Sequence, residues 1–164
     1  MVISEVNGKD PAWAASIESL QLRILPGDVP LPAGHGWWWL AFTGDAPVAF
    51  AALVPTKSTP GTAYLARAGV LPSARGQGLQ LRLIRARERK AKILGFTRIV
   101  TDTYNNPSSA NSLIKAGYRM FMPEYRWSFD GACYWQRNLN KKENDDTAGH
   151  AERARPTGAE PGEN

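Results

Sequence analysis

The segment with the most chemical potential is Val70-Leu71-Pro72-Ser73-Ala74-Arg75-Gly76-Gln77-Gly78-Leu79-Gln80. It joins an apolar stretch, Thr62 to Leu71, to a strongly periodic one, Leu79 to Leu94, and so reads as a strand-to-helix turn. Glycines at positions 76 and 78 let the backbone turn its N–H groups outward at the positive end of the helix that follows. Main-chain donors placed there form a site for an anion. Two glycines in a turn serve equally well as plain helix-start geometry, so both readings stand at this point. The chain has neither the Gly-Lys-Ser/Thr of a nucleotide P-loop nor the Gly-x-Gly-x-x-Gly of a dinucleotide fold here, and the anion would belong to another cofactor. A second group of reactive side chains follows: Asp102, Tyr104, Asn106, Ser109, Ser112 and Tyr118. A carboxylate can take a proton and a phenol can give one.

The elements that must hold these residues can be read from periodicity and punctuation. Val2 to Val6 is a short strand, and Asp10-Pro11 starts a helix with Asp10 as N-cap that runs to about Leu25, where Pro26-Gly27 stops it. Trp37 to Thr43 and Val48 to Val54 are antiparallel strands joined by Gly44-Asp45-Ala46-Pro47. On the first of them Trp37 and Trp39 face one side and Trp38 the other, which suits packing under flanking helices better than an aromatic acceptor pocket. In the helix after the glycine loop, Leu79, Leu83, Ala86, Ile93 and Leu94 fall on one face and Arg82, Arg85, Arg89 and Lys92 on another. Gly95 ends that helix, and the strand Arg98 to Thr103 becomes a parallel neighbour of Thr62 to Leu71 through a strand-helix-strand crossover. Asn106-Pro107 opens a short helix that Gly117 closes, and strands near Tyr118 to Met122 and Ala132 to Leu139 complete the order. The pattern predicts a mixed α/β (α+β) fold, with a mostly antiparallel central sheet, one parallel strand pair and helices on both faces.

Length and composition bound the rest. At 164 residues, 43% of them hydrophobic and 21% charged, the chain suits a single globular domain over residues 1–139. From Asn140 onward there is no aromatic residue and no Val, Ile, Leu or Met, and acids outnumber bases, so 140–164 is expected to be a disordered polar tail. The longest uncharged apolar stretch, Ala46 to Pro55, is too short for a membrane span, and the start lacks the basic and apolar regions of an export signal. A lone cysteine, Cys133, closes no internal disulfide and supports no cysteine-based metal site, so a cytoplasmic protein with no metal is expected. Nine bases between Arg67 and Arg98 face only Glu88, a local field suited to polyanions.

The order and spacing of Val70-Leu71-Pro72, Arg75-Gly76-Gln77-Gly78, Asn106-Pro107-Ser108-Ser109 and Ala116-Gly117-Tyr118 resemble the GNAT superfamily of acetyl-CoA-dependent N-acetyltransferases, over about Ala46 to Tyr118. The resemblance implies a GNAT-like sheet whose parallel strands splay around the cofactor. It implies acetyl-CoA (coenzyme A) held at its pyrophosphate by the loop Ser73, Arg75, Gly76, Gln77, Gly78, Leu79 and Gln80. The pantetheine arm would lie against the backbone at Val70 and Leu71, with Asn106 and Ser109 beside it. It further implies direct acetyl transfer, in a ternary complex, to a primary amine of a small-molecule or peptide acceptor.

Three positions depart from the family pattern. Ser73 stands where Gln or Arg opens the motif, Gln80 where a small residue is common, and Leu113 where many members place the tyrosine that protonates the departing thiolate. Tyr104, Ser112 and Tyr118 are the remaining acid candidates, with Tyr118 also suited to the core, and Asp102 is the nearest carboxylate for a base, unless water does that work. Leu113 also admits a regulatory protein that binds acetyl-CoA and has lost efficient catalysis. A basic nucleic-acid-binding domain would use the arginine stripe, but it lacks a recognition motif. Membrane partners are not expected, and the chain suits a monomer or a homodimer.

Overall fold

A computed structural model describes residues 1–140 of the chain, so all but the first residue of the expected polar tail lies outside the described residues. Seven strands, β1 (Val2–Val6), β2 (Trp37–Thr43), β3 (Ala46–Pro55), β4 (Thr62–Val70), β5 (Arg98–Thr103), β6 (Arg119–Met120) and β7 (Cys133–Asn138), form one sheet in the order β1-β2-β3-β4-β5-β7-β6. Every neighbouring pair is antiparallel except β4 and β5. Three helices, α1 (Pro11–Ile24), α2 (Leu79–Ile93) and α3 (Pro107–Lys115), cover it. The mixed architecture and the parallel pair agree with the sequence pattern.

The alternation of strand side chains divides the core between two faces. Trp38, Leu40, Phe50 and Ala52 pack with Ile17 and Leu20 of α1 on one face. Trp39, Ala51, Leu53, Leu65 and Ile99 pack with Leu79, Leu83 and Ile84 of α2 and Leu113 of α3 on the other. Trp37 joins the second cluster, so the three consecutive indoles split as the alternation predicts and all serve packing. On α2 the expected apolar face is corrected at its end. Leu79, Leu83 and Ala86 are buried, but Ile93 is 80% exposed and Leu94 forms the C-cap, because the helix ends there and the chain turns away through Gly95. Arg87 and Glu88 are buried instead.

Arg87 explains how the sheet opens. In the β3–β4 ladder Ala51 faces Ala68 and Leu53 faces Leu65, so two steps along β3 oppose three along β4. The extra residue is a β-bulge at Ala66–Arg67, which bends β4 and leaves ladder carbonyls without strand partners. The Arg87 guanidinium fills that gap, donating to the carbonyls of Ala52 (3.3 Å) and Ala66 (3.4 Å) as well as to Leu83 (3.2 Å) on its own helix. Burial lowers the Arg87 pKa to about 10, against the pull of Tyr118 and Glu88, and the group stays charged at neutral pH. Beyond the bulge β4 leaves its parallel neighbour: pairing with β5 covers only Thr62 to Tyr64 against Arg98 to Val100. At the fork the Thr101 hydroxyl donates to the Leu65 carbonyl at 2.9 Å, replacing the ladder bond that the splay removes.

Replacing Arg87 with Met leaves these carbonyls buried without a donor, and the variant should lose about 2 to 4 kcal/mol of stability in chemical denaturation. Arg87→Lys, which keeps the charge but not the planar fork, should remain destabilised. An unchanged midpoint for both variants would mean that strand pairing alone holds the bulge.

Candidate active site

The glycine loop is built as an open helix start. After β4, Pro72–Ala74 make one 3₁₀ turn, and Gly76 and Gly78 take φ of 78° and 70°, the left-handed region that glycine occupies without strain. Gly78 is the N-cap of α2, and no side chain caps this helix, whereas Asp10 caps α1 and Asn106 caps α3. The first bond of the α2 ladder runs from the Arg82 N–H to the Gly78 carbonyl at 3.1 Å, so the amides of Leu79, Gln80 and Leu81 precede the ladder. The Leu79 side chain is buried in the core and offers only its backbone, while Ser73, Arg75 and Gln77 are exposed. The loop therefore presents uncapped helix-start amides where the sequence suggested an anion cradle.

The splay presents a strand edge beside this loop. The Leu71 N–H donates to the Val48 carbonyl at 2.9 Å, so the main-chain groups of Leu71 point to β3. Backbone groups of alternate residues point to opposite sides of a strand, and those of Val70 and Ala68 therefore face the gap next to β5. The Arg75 side chain already uses this geometry, its Nε donating to the Val70 carbonyl at 3.3 Å. A cavity of about 470 Å³ occupies the gap. Gln80, Ile84 and Arg87 of α2 and Asn106, Ser109 and Leu113 at α3 line one side of it, and Tyr64, Asp102, Tyr104 and Phe129 line the other. Asn106, which lines the cavity, accepts the Ser109 N–H on Oδ1 at 3.0 Å, so its side-chain donor is the amide nitrogen.

The predicted catalytic residues separate into distinct environments. Asp102 lines the cavity and is tied down by three donors: the Tyr64 hydroxyl (2.6 Å) and Trp127 Nε1 (2.8 Å) on Oδ1, and the Ser128 hydroxyl (2.7 Å) on Oδ2. Burial, and next the Asp102 carboxylate, push the Tyr64 phenol far above the usual tyrosine range, so it remains a proton donor to Asp102. Tyr104 also lines the cavity, is 55% exposed, and rests its ring against Phe129 with centroids 5.6 Å apart. Tyr118 lies in the core, outside the cavity-lining set, and burial followed by the nearby Glu88 carboxylate raises its phenol strongly. The Ser112 hydroxyl donates to the Ser108 carbonyl at 3.0 Å within α3. Of the three acid candidates, only Tyr104 reaches the cavity.

Four residues of this region had no role at the site in the sequence reading: Tyr64, Arg87, Trp127 and Ser128. Arg87 left a signal, since Leu83, Arg87 and Ala91 follow at intervals of four and place a charge in the apolar stripe of α2. Trp127 and Ser128 left none, because they lie in an irregular segment that only the tertiary fold brings over Asp102. The basic field around α2 is also less open than its composition implied. Arg67 pairs with Asp28 at 2.5 Å, Lys90 with Glu5 at 2.6 Å and Arg85 with Glu88 at 2.9 Å.

This architecture has known counterparts. The sheet and its helices are similar to those of an aminoglycoside 6'-acetyltransferase type Ii, with a TM-score of 0.70 and 17% identity over 87% of this chain and 99% of that one. The acetyltransferase of Bacillus subtilis solved in complex with CoA gives 0.64 and 19% over 83% and 97%. The ribosomal-protein-S18-alanine N-acetyltransferase of Escherichia coli gives 0.65 and 14% over 88% and 97%. At such identities the likeness is one of fold. No curated protein matches the chain in sequence. Residues 10–118 do match the sequence profile of the Acetyltransferase (GNAT) family, a span that includes the bulged strand, the glycine loop and the Asn106 helix, and the chain belongs to that family.

Proposed function

We propose that the protein transfers an acetyl group from acetyl-CoA to a primary amine of its acceptor, directly, with both substrates bound together. The observation that carries this reading is the continuity of one cavity from Gln80, beside the uncapped start of α2, through the β4–β5 gap to Asp102 and Tyr104 on the other side. The residues present suit the cofactor. Gly76, Gln77, Gly78, Leu79 and Gln80 offer backbone N–H groups for the pyrophosphate at the positive end of α2. Val70 and Ala68 offer main-chain groups for the pantetheine amides, and Arg75 leaves the Val70 carbonyl as it turns toward the phosphates. Leu71 packs against the core at the end of β4, and the Asn106 amide nitrogen and Ser109 flank the arm. Because the cradle is main chain, Ser73 in place of Gln or Arg removes a side-chain contact and leaves the cradle intact.

When bound, acetyl-CoA supplies an activated thioester carbonyl for the amine to attack and leaves as a thiol. The chain's part is mainly to hold two substrates in line, which alone can supply much of the rate. Tyr104 takes the task left open by Leu113: it lines the cavity, close in sequence to Asn106, and a phenol hydroxyl can donate its proton to a departing thiolate. The amine loses its proton to water in the open cavity, since Tyr64, Trp127 and Ser128 already occupy most of Asp102.

Titration with acetyl-CoA tests the cradle. A Cβ at Gly78 would meet nothing within 4 Å, so Gly78→Val disturbs the left-handed backbone rather than the packing. Calorimetry should show loss of acetyl-CoA binding in a variant that still melts cooperatively, and unchanged affinity would move the cradle elsewhere. Thiol release tests the acid: Tyr104→Phe should lower turnover by about 100-fold or more with acetyl-CoA affinity retained. Wild-type turnover in that variant would assign the proton to water.

A further inference from the structure

Acetyl transfer as proposed leaves Asp102, a cavity carboxylate held by three donors, without a substrate to hold. Its three hydrogen-bond donors, Tyr64, Trp127 and Ser128, are all neutral, and among the described residues no lysine or arginine pairs with it. The cation in the same wall, Arg67, is matched by Asp28 at 2.5 Å. This end of the cavity therefore carries a negative charge that the protein orients but does not neutralise. An ionised carboxylate accepts about four hydrogen bonds, and with three filled the remaining position is on Oδ2. Tyr64, Tyr104 and Phe129 line the same cavity. Aromatic faces beside an oriented carboxylate are the chemistry that recognises an ammonium or guanidinium group.

We infer that Asp102 anchors a second, cationic group of the acceptor, so that the acceptors are amines carrying a further ammonium or guanidinium group besides the one acetylated. This rests on the acetyl-transfer reading and narrows its substrate class. A neutral hydroxyl could fill the vacant acceptor position on Oδ2 but would leave the partly buried charge uncompensated, which is why a cation is favoured. Asp102 acts here as a binding residue, held in orientation by the Tyr64–Trp127–Ser128 triad of donors. The reacting amine is a separate group of the same molecule.

The test compares 1,4-diaminobutane with 4-amino-1-butanol, which has the same reach but a hydroxyl in place of the second amine. With acetyl-CoA saturating, the wild-type protein should favour the diamine by about tenfold or more in KM, the worth of one charge-assisted hydrogen bond, and the preference should shrink as salt is added. Asp102→Asn, which keeps the shape of the side chain, should bring the two amines to parity by raising KM for the diamine. A wild-type protein that does not distinguish the amines, a variant that keeps the preference, or a variant that lowers kcat on both amines by the same factor overturns the inference, the last by making Asp102 the base. Calorimetric titration of the coenzyme-A-saturated wild-type protein with the same two amines reads the anchor without turnover. Diamine preference in that titration without any thiol release would remove the proposed function and keep the anchor, whereas thiol release without preference would do the reverse.

Discussion

The site depends on one buried arginine. A β-bulge costs ladder hydrogen bonds, and a carbonyl left unpaired in the interior costs about 1 to 3 kcal/mol, so the bulge at Ala66–Arg67 survives because α2 delivers the Arg87 guanidinium to the carbonyls of Ala52 and Ala66. The arginine in turn is tolerated as a buried charge because backbone carbonyls take its hydrogens and the Glu88 carboxylate lies next to it in sequence. With β4 bent there, its pairing with β5 ends at Tyr64, and the strand edge beyond it faces a cavity instead of a neighbour. The same helix that closes the bulge begins with the glycine loop, so one element sets both the gap and the proposed anion cradle beside it.

This arrangement divides labour between backbone and side chains. The proposed cofactor contacts are mostly main-chain groups of β4 and of the loop ahead of α2, which depend on conformation and tolerate changes of side chain. That is why Ser73 and Gln80 can depart from the family pattern without dismantling the cradle. The proposed acceptor contacts are side chains, Asp102 with its donors and the rings of Tyr64, Tyr104 and Phe129, partly drawn from the irregular segment before β7. Contacts of this kind change readily between relatives, in keeping with a fold shared by enzymes named for an aminoglycoside and for a ribosomal-protein alanine.

The local rules of the chain were legible wherever a single residue type dictates a conformation. Asp10-Pro11 and Asn106-Pro107 marked helix starts that the structure places at Pro11 and Pro107, with Asp10 and Asn106 as the N-caps, and Gly95 and Gly117 marked the ends. The left-handed glycines at 76 and 78, the parallel β4–β5 pair and the split of Trp37, Trp38 and Trp39 followed from the same kind of reasoning. What escaped depends on register and tertiary contact. The bulge is a mismatch of two steps against three across a ladder, which neither strand shows alone, and so the sequence reading assigned Arg87 no buried role. Asp102 was visible as a carboxylate, but its three donors come from positions 64, 127 and 128, and no spacing rule connects them.

The claim that the splayed edge of β4 and the start of α2 together form the cofactor site is tested most directly by following backbone amide resonances of the full chain during titration with acetyl-CoA. The account predicts that the largest shifts fall on Ala68, Val70 and the stretch from Arg75 to Gln80, with little change in β1 and β2. Shifts confined to the exposed arginines of α2, with Val70 and Gly76 to Gln80 unmoved, would contradict it.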